Sequence, residues 1–156
     1  MPRDGGHLIF TEEEAKEFLQ LEPKASKWLK PFIGSFDFLN NKKRFCLWLK
    51  DVKPDELKAM PFVLERVAEV KKFRLESTAE STRKFAAIPA LFCQVSQPST
   101  NYILIPRVSS ENRAYIPMGF FDASNIVSDS CFCIPNGDLY LFGILSSAMH
   151  MAWVSR

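Results

Sequence analysis

The sequence predicts an α+β domain: N-terminal helices, a central mixed or antiparallel β region, and a closing C-terminal helix. Three observations carry this. Phe62, Val63, Val67, Val70 and Phe73 follow the three-to-four spacing of one buried helix face. From Pro89 onward the chain turns to short runs rich in Tyr, Ile, Val and Phe, residue types that suit a pleated, half-buried surface. Within that region the stretch NYILIPRVSSENRAYIPMGFF reads as a hairpin at 102–121, with arms Tyr102–Val108 and Ala114–Phe121. The polar Ser-Ser-Glu-Asn-Arg run joins the arms. Pro106 and Pro117 lie inside them, and proline cannot donate to a ladder, so each marks an edge strand or a bulge. Recognition is expected on the polar tip, with Arg107, Glu111 and Arg113, rather than on the strands.

Taken in order, residues 1–10 read as an irregular lead-in. Thr11 and Glu14 form a capping box, so a helix starts there and runs to about Leu21 with Ala15, Phe18 and Leu19 on one face. Pro23 opens a second short helix ending near Leu29, and Pro31 stops it. Asn40-Asn41-Lys42-Lys43 is a polar turn before the strand Arg44–Lys50. Pro54-Asp55-Glu56 starts a helix, and Pro61 begins the longest one, about Phe62 to Ser77. A shorter helix, Ala79 to Ala87, carries Arg83 and Lys84. Short β runs follow at Ala90–Val95 and, after the hairpin, at Ile126–Ile134. Pro135-Asn136-Gly137 is a turn, and Asp138 caps a last helix, Leu139–Val154, that is apolar nearly all round. Such a helix is buried, or it packs on something outside this sequence. The whole reads as one domain, 1–156: a helical part about 11–88, a β-rich part about 89–135, and the final helix about 138–155.

Hydrophobic residues make 47% of the chain and 14 are Phe, enough for an aromatic core without covalent staples. The net charge of +2 hides an asymmetry, since 17 of the 20 Lys and Arg precede residue 91. A cationic helical block beside a weakly charged β region suits a polyanion or, equally, a solvated helix surface. Cys46, Cys93, Cys131 and Cys133 form no Cys-x-x-Cys pair, so they read as thiols in a reducing, cytoplasmic setting. Cys131 and Cys133, two apart on a strand, share a face. No run is long enough to span a membrane, and the N-terminus does not resemble a signal peptide.

Enzyme constellations are absent. Pro54-Asp55 and Glu69-Val70-Lys71 spell a nuclease-like Pro-Asp…Glu-x-Lys pattern, but it falls on helices, with Glu69 and Lys71 on divergent azimuths. His7 and His150 are the two histidines, and no Gly-x-Ser-x-Gly surrounds a nucleophile. No glycine-rich loop leads from a strand into a helix. No catalytic residue and no metal ligand is assigned. The polar loops offer donors and acceptors of a different use. Gln bridges adenine N6 and N7, Asp accepts from cytosine N4, and Ser serves either base type.

Five blocks occur in an order that resembles one family: KPFIGS at 30–35, RFCLWL at 44–49, Arg74…Ser77 leading into Ile88-Pro89, YILIPRVSSENRAYIPMGF at 102–120, and LYLFGILSSAMHMAWV at 139–154. Together they are similar to the target-recognition region of MmeI-type (type IIL) restriction–modification enzymes, over roughly residues 8–156. Those are long single chains with an N-terminal nuclease, an adenine-N6 methyltransferase using S-adenosylmethionine, and then a target-recognition domain. The resemblance implies a domain excised from such a parent. It implies double-stranded DNA and the rest of the parent chain as partners, with S-adenosylmethionine and Mg2+ belonging to the parent and no cofactor to this fragment. Lys42, Lys43, Arg44, Arg74, Arg83 and Lys84 are expected on the DNA backbone. Gln94, Ser96, Gln97, Ser128, Asp129 and Ser130 are expected to read bases, and Arg107 and Arg113 to do either. The competing reading is a protein-interaction module docking through the apolar C-terminal helix.

Overall fold

The computed structural model describes residues 2–110 and 113–154; Glu111 of the hairpin tip lies outside the described residues. The elements mix helices and antiparallel strands, the α+β class expected from the sequence. The chain divides into two compact units, residues 1–32 with 43–96, and residues 33–42 with 97–156.

In the first unit, β1 (Ile9–Thr11) leads straight into α1 (Glu12–Leu21). The capping box is formed: the Glu14 amide donates to the Thr11 hydroxyl, and the Thr11 amide to the Glu14 carboxylate. Hydrogen bonds to the Glu14 carboxylate, first from the Thr11 backbone and then from the Thr11 side chain, hold it below its usual range. A 3-10 turn, Pro23–Lys27, precedes β2 (Leu29–Ile33). Pro31 is therefore not a stop; it lies inside β2, opposite Phe45 of β3 (Arg44–Leu47). β3 pairs antiparallel with both β1 and β2. The lead-in is more ordered than a tail: the Leu8 amide donates to the buried Asp4 carboxylate, and Leu47 N–H to Leu8 carbonyl.

The helical block begins, after α2 (Ser35–Asn40) of the other unit, with α3 (Pro54–Lys58) and continues with α4 (Pro61–Leu75) and α5 (Glu80–Lys84). On α4 the buried positions are Val63, Val67, Val70 and Arg74, whereas Phe62 and Phe73 are half exposed. The buried face thus runs on from 70 to 74 and takes an arginine. Arg66 covers the aromatic pair Phe10–Phe18, its guanidinium 4.2 Å from the first ring and 5.1 Å from the second. The strand expected at Ala90–Val95 does not form; this stretch packs as irregular chain, with Phe92 edge-on to Phe32 and Trp48.

The second unit centres on β4 (Tyr102–Pro106), flanked by β5 (Gly119–Phe121) and β7 (Cys131–Pro135) in the order β5-β4-β7. The hairpin pairing holds, with Tyr102 opposite Phe121, but its second arm is three residues long and the connection runs from Arg107 to Met118. β4 is therefore a central strand, and Pro106 ends it instead of marking an edge. The run 126–134 breaks into β6 (Ile126–Val127) and β7, separated by Ser128–Ser130. Tyr102, Leu104 and Cys131 are buried together, with Phe38 of α2, Phe121 and Cys133 against them. Cys131 and Cys133 do share the inner face, and Phe132 between them faces out. A Cβ at Gly119 would lie 3.1 Å from the Phe38 ring, so a larger residue there requires that ring to shift.

Asp138 caps the closing helix as expected, accepting from the Leu141 amide. The helix is not continuous. It divides into α6 (Leu139–Leu145) and α7 (Ala148–Val154) around Ser146 and Ser147, where the Ser146 hydroxyl donates to the Phe142 carbonyl. Leu139, Met149 and Trp153 are 79%, 84% and 76% exposed, so its apolar character is not matched by burial within this unit.

Candidate nucleic-acid interface

The cationic residues expected on a DNA backbone have different fates. Lys42 and Lys43 are exposed, immediately after Asn41, whose left-handed backbone ends α2. Arg44 opens β3 half-buried, its guanidinium 5.3 Å from the Phe32 ring. Arg83 is exposed, and its guanidinium donates to the Ser77 and Thr78 carbonyls at 2.8 and 2.9 Å. Lys84 is exposed and pairs with Glu80 one helical turn away, a contact that water screens.

Arg74 is the correction. It is fully buried, and all five of its N–H donors are used on carbonyls: Nε on Arg3, Nη1 on Phe85 and Ile88, Nη2 on Pro2 and Leu91. Burial lowers its pKa, and no donor remains for a phosphate. Its work is to tie the lead-in and the 85–91 segment onto α4.

The residues expected to read bases also divide. Gln94 and Ser96 are exposed, in the first unit. Gln97, in the second, has both ends of its amide engaged. Nε2 donates to the Asn125 carbonyl at 2.8 Å and more weakly to Ala123, and Oε1 accepts from the Val127 amide at 2.9 Å. Gln97 therefore holds the 123–127 turn, with both Nε2 hydrogens engaged and one lone pair of Oε1 in use. The Tyr102 hydroxyl donates to the same Asn125 carbonyl, and burial pushes its pKa up to about 12.

Ser128, Asp129 and Ser130 are half-buried in the turn between β6 and β7. The Ser128 amide donates to the Ile33 carbonyl, and the Ser35 amide to the Ser130 hydroxyl. The Ser35 hydroxyl donates back to the Ser130 carbonyl, which also accepts the Arg107 amide. Arg107 is exposed at the end of β4, its guanidinium 4.7 Å from the face of the outward Phe132. Arg107, Asp129 and Phe132 are thus brought to one end of this sheet, while Arg113 lines an open groove of about 440 Å³ with Tyr115, Met118 and Phe142. Sequence reasoning missed Phe132 and Ser35. The alternation Cys131-Phe132-Cys133 was the available signal for the first. Ser35 carries no local sign of a role, because its partners are about 95 residues away.

The nuclease-like pattern does not assemble. Asp55 stands on α3, while Glu69 and Lys71 are exposed on α4. Among the described residues no group of three His, Cys, Asp or Glu is placed to share a cation. All four cysteines are free thiols. Among the described residues no helix is long and apolar enough to cross a membrane.

The chain is 42% identical over 154 residues to DNA methyltransferase A of Bacillus subtilis (strain 168), covering 99% of this chain and 18% of the relative. It is similar to the solved structure of the type IIL restriction-modification enzyme MmeI in complex with DNA, with a TM-score of 0.94 and 45% identity over 97% of this chain and 20% of that one. It therefore spans about a fifth of the length of either relative. The family model described as the MmeI target recognition domain matches residues 1–156, and the chain belongs to that family.

Proposed function

We propose that this domain reads a short double-stranded DNA sequence on behalf of a methyltransferase and nuclease carried on the same, longer polypeptide. The observation that carries the reading is the match over the whole chain to a target recognition domain, together with a near-identical fold in a relative solved on DNA. Residues 1–156 serve as one recognition domain of that longer chain. Lys42, Lys43, Arg44, Arg83 and Lys84 neutralise phosphates and set register. Gln94, Ser96, Arg107, Arg113 and the 128–130 turn supply the groups that meet base edges. S-adenosylmethionine and Mg2+ serve the parent's other domains. A DNA substrate and four unpaired thiols fit a cytoplasmic protein.

The test is duplex binding by the full-length polypeptide across a salt series. Specific DNA should be held at least about a thousandfold more tightly than random duplex, with affinity falling steeply in salt. Equal, salt-insensitive binding to all sequences would reject the reading. A second role is favoured by the exposed Leu139, Met149 and Trp153: the α6–α7 pair docks on the remainder of the parent chain, which in the relatives is four times longer than this domain or more. Binding to a protein partner with none to DNA would make that the sole role.

A further inference from the structure

We infer that within the 128–130 turn Asp129 alone is the specificity-determining side chain, that Ser128, Ser130 and Ser35 are positioning residues, and that Asp129 takes the exocyclic amine of cytosine. The inference rests on the DNA-reading function proposed above.

Three adjacent polar residues look equivalent in the sequence, and their hydrogen bonds separate them. Ser130 is consumed by the scaffold. Its hydroxyl accepts the Ser35 amide at 2.9 Å, its carbonyl accepts the Ser35 hydroxyl and the Arg107 amide, and its amide donates to the Ser128 hydroxyl at 3.3 Å. Ser128 is held by its backbone on both sides, its amide on Ile33 and its carbonyl on the Cys131 amide. Its hydroxyl donates to Asp129 Oδ1 at 3.2 Å. The Asp129 carboxylate bonds nothing on strands or helices. Oδ1 takes the one bond from Ser128, and Oδ2 has no partner among the described residues.

A half-buried carboxylate with one oxygen steadied by its neighbour and the other open is an acceptor aimed by its surroundings. A carboxylate has no proton to give, so it selects donors and rejects acceptors. In the major groove cytosine N4 and adenine N6 are the amine donors, and guanine O6 and thymine O4 are acceptors. Adenine places N7, a second acceptor, beside its amine, where a carboxylate oxygen is repelled. Cytosine places a C–H there. The preferred base is therefore cytosine; Arg107, braced on Phe132, is tied to the same turn by its backbone hydrogen bond to Ser130.

The experiment uses the full-length polypeptide and a set of duplexes in which each base pair of its site is replaced in turn. Asp129→Asn should lose about 5- to 150-fold of discrimination at a single C·G pair and leave the other positions unchanged. Ser130→Ala and Ser35→Ala should loosen binding to every duplex alike and keep the order of preference. If Asp129→Asn relaxes an A·T pair instead, cytosine is wrong. A uniform loss across all duplexes makes Asp129 a structural residue, and an unchanged preference profile removes it from the readout; both overturn the inference while leaving DNA recognition intact. Failure of the unmutated protein to prefer any sequence overturns the function itself.

Discussion

Replacing Arg74 by Met keeps most of the aliphatic volume on α4 and deletes five donors at once. The carbonyls of Pro2 and Arg3 lie in the lead-in near solvent, so water can replace the guanidinium there. Those of Phe85, Ile88 and Leu91 are drawn onto Arg74 from three successive turns of chain. Leaving a carbonyl without its donor costs roughly 1–1.7 kcal/mol at such partly wet positions, so three such losses bring a destabilisation of about 3–5 kcal/mol. That is a large part of a typical domain's stability. Arg74→Lys should recover little, because a single ammonium cannot span acceptors arranged for a planar fork. Equilibrium urea unfolding, followed by the fluorescence of Trp28 and Trp48 in the same unit, measures both variants. A loss under about 1 kcal/mol in Arg74→Met, accompanied by weaker DNA binding with a shallower salt slope, would return Arg74 to the phosphate contacts and refute the structural role.

Other outcomes follow from the same geometry. Lys43→Ala should leave stability within about 0.5 kcal/mol and reduce the slope of log affinity against log salt by about 0.9 if it meets one phosphate, read by titration of the full-length protein. Gln97→Ala removes the amide that bridges the 123–127 turn and should cost about 1–3 kcal/mol in thermal or urea unfolding without altering sequence preference. Tyr102 stays protonated in the fold until about pH 12, against an ordinary value of 10.0. Its contribution to stability is complete below pH 10 and is lost as pH rises from 10 to 12, so ultraviolet titration and unfolding should move together in that window. Tyr102→Phe should abolish that part of the alkaline transition.

How much of this was legible in the sequence depends on how far apart the interacting residues lie. Thr11 and Glu14 announce α1 because a capping box is closed within one turn, and Asp138 announces α6 in the same way. Val63, Val67 and Val70 give the buried face of α4 by spacing, and the next member of that series is position 74. A charged residue at a core position is ordinarily read as surface, since its carbonyl partners, at 2, 3, 85, 88 and 91, leave no periodic trace. Pro31 misled for the related reason that a proline reads as a break until its strand partner, Phe45, is known. The site shows the same division. Composition identifies Ser128, Asp129 and Ser130 as polar and in a turn, but only the return of Ser35 from the start of α2 shows which of the three is scaffold. A recognition surface of this kind is a set of side chains left over after the backbone and its nearest hydroxyls have satisfied one another. It becomes visible when each hydrogen bond of the turn has been assigned, and what remains at Asp129 is one acceptor oxygen without a partner among the described residues.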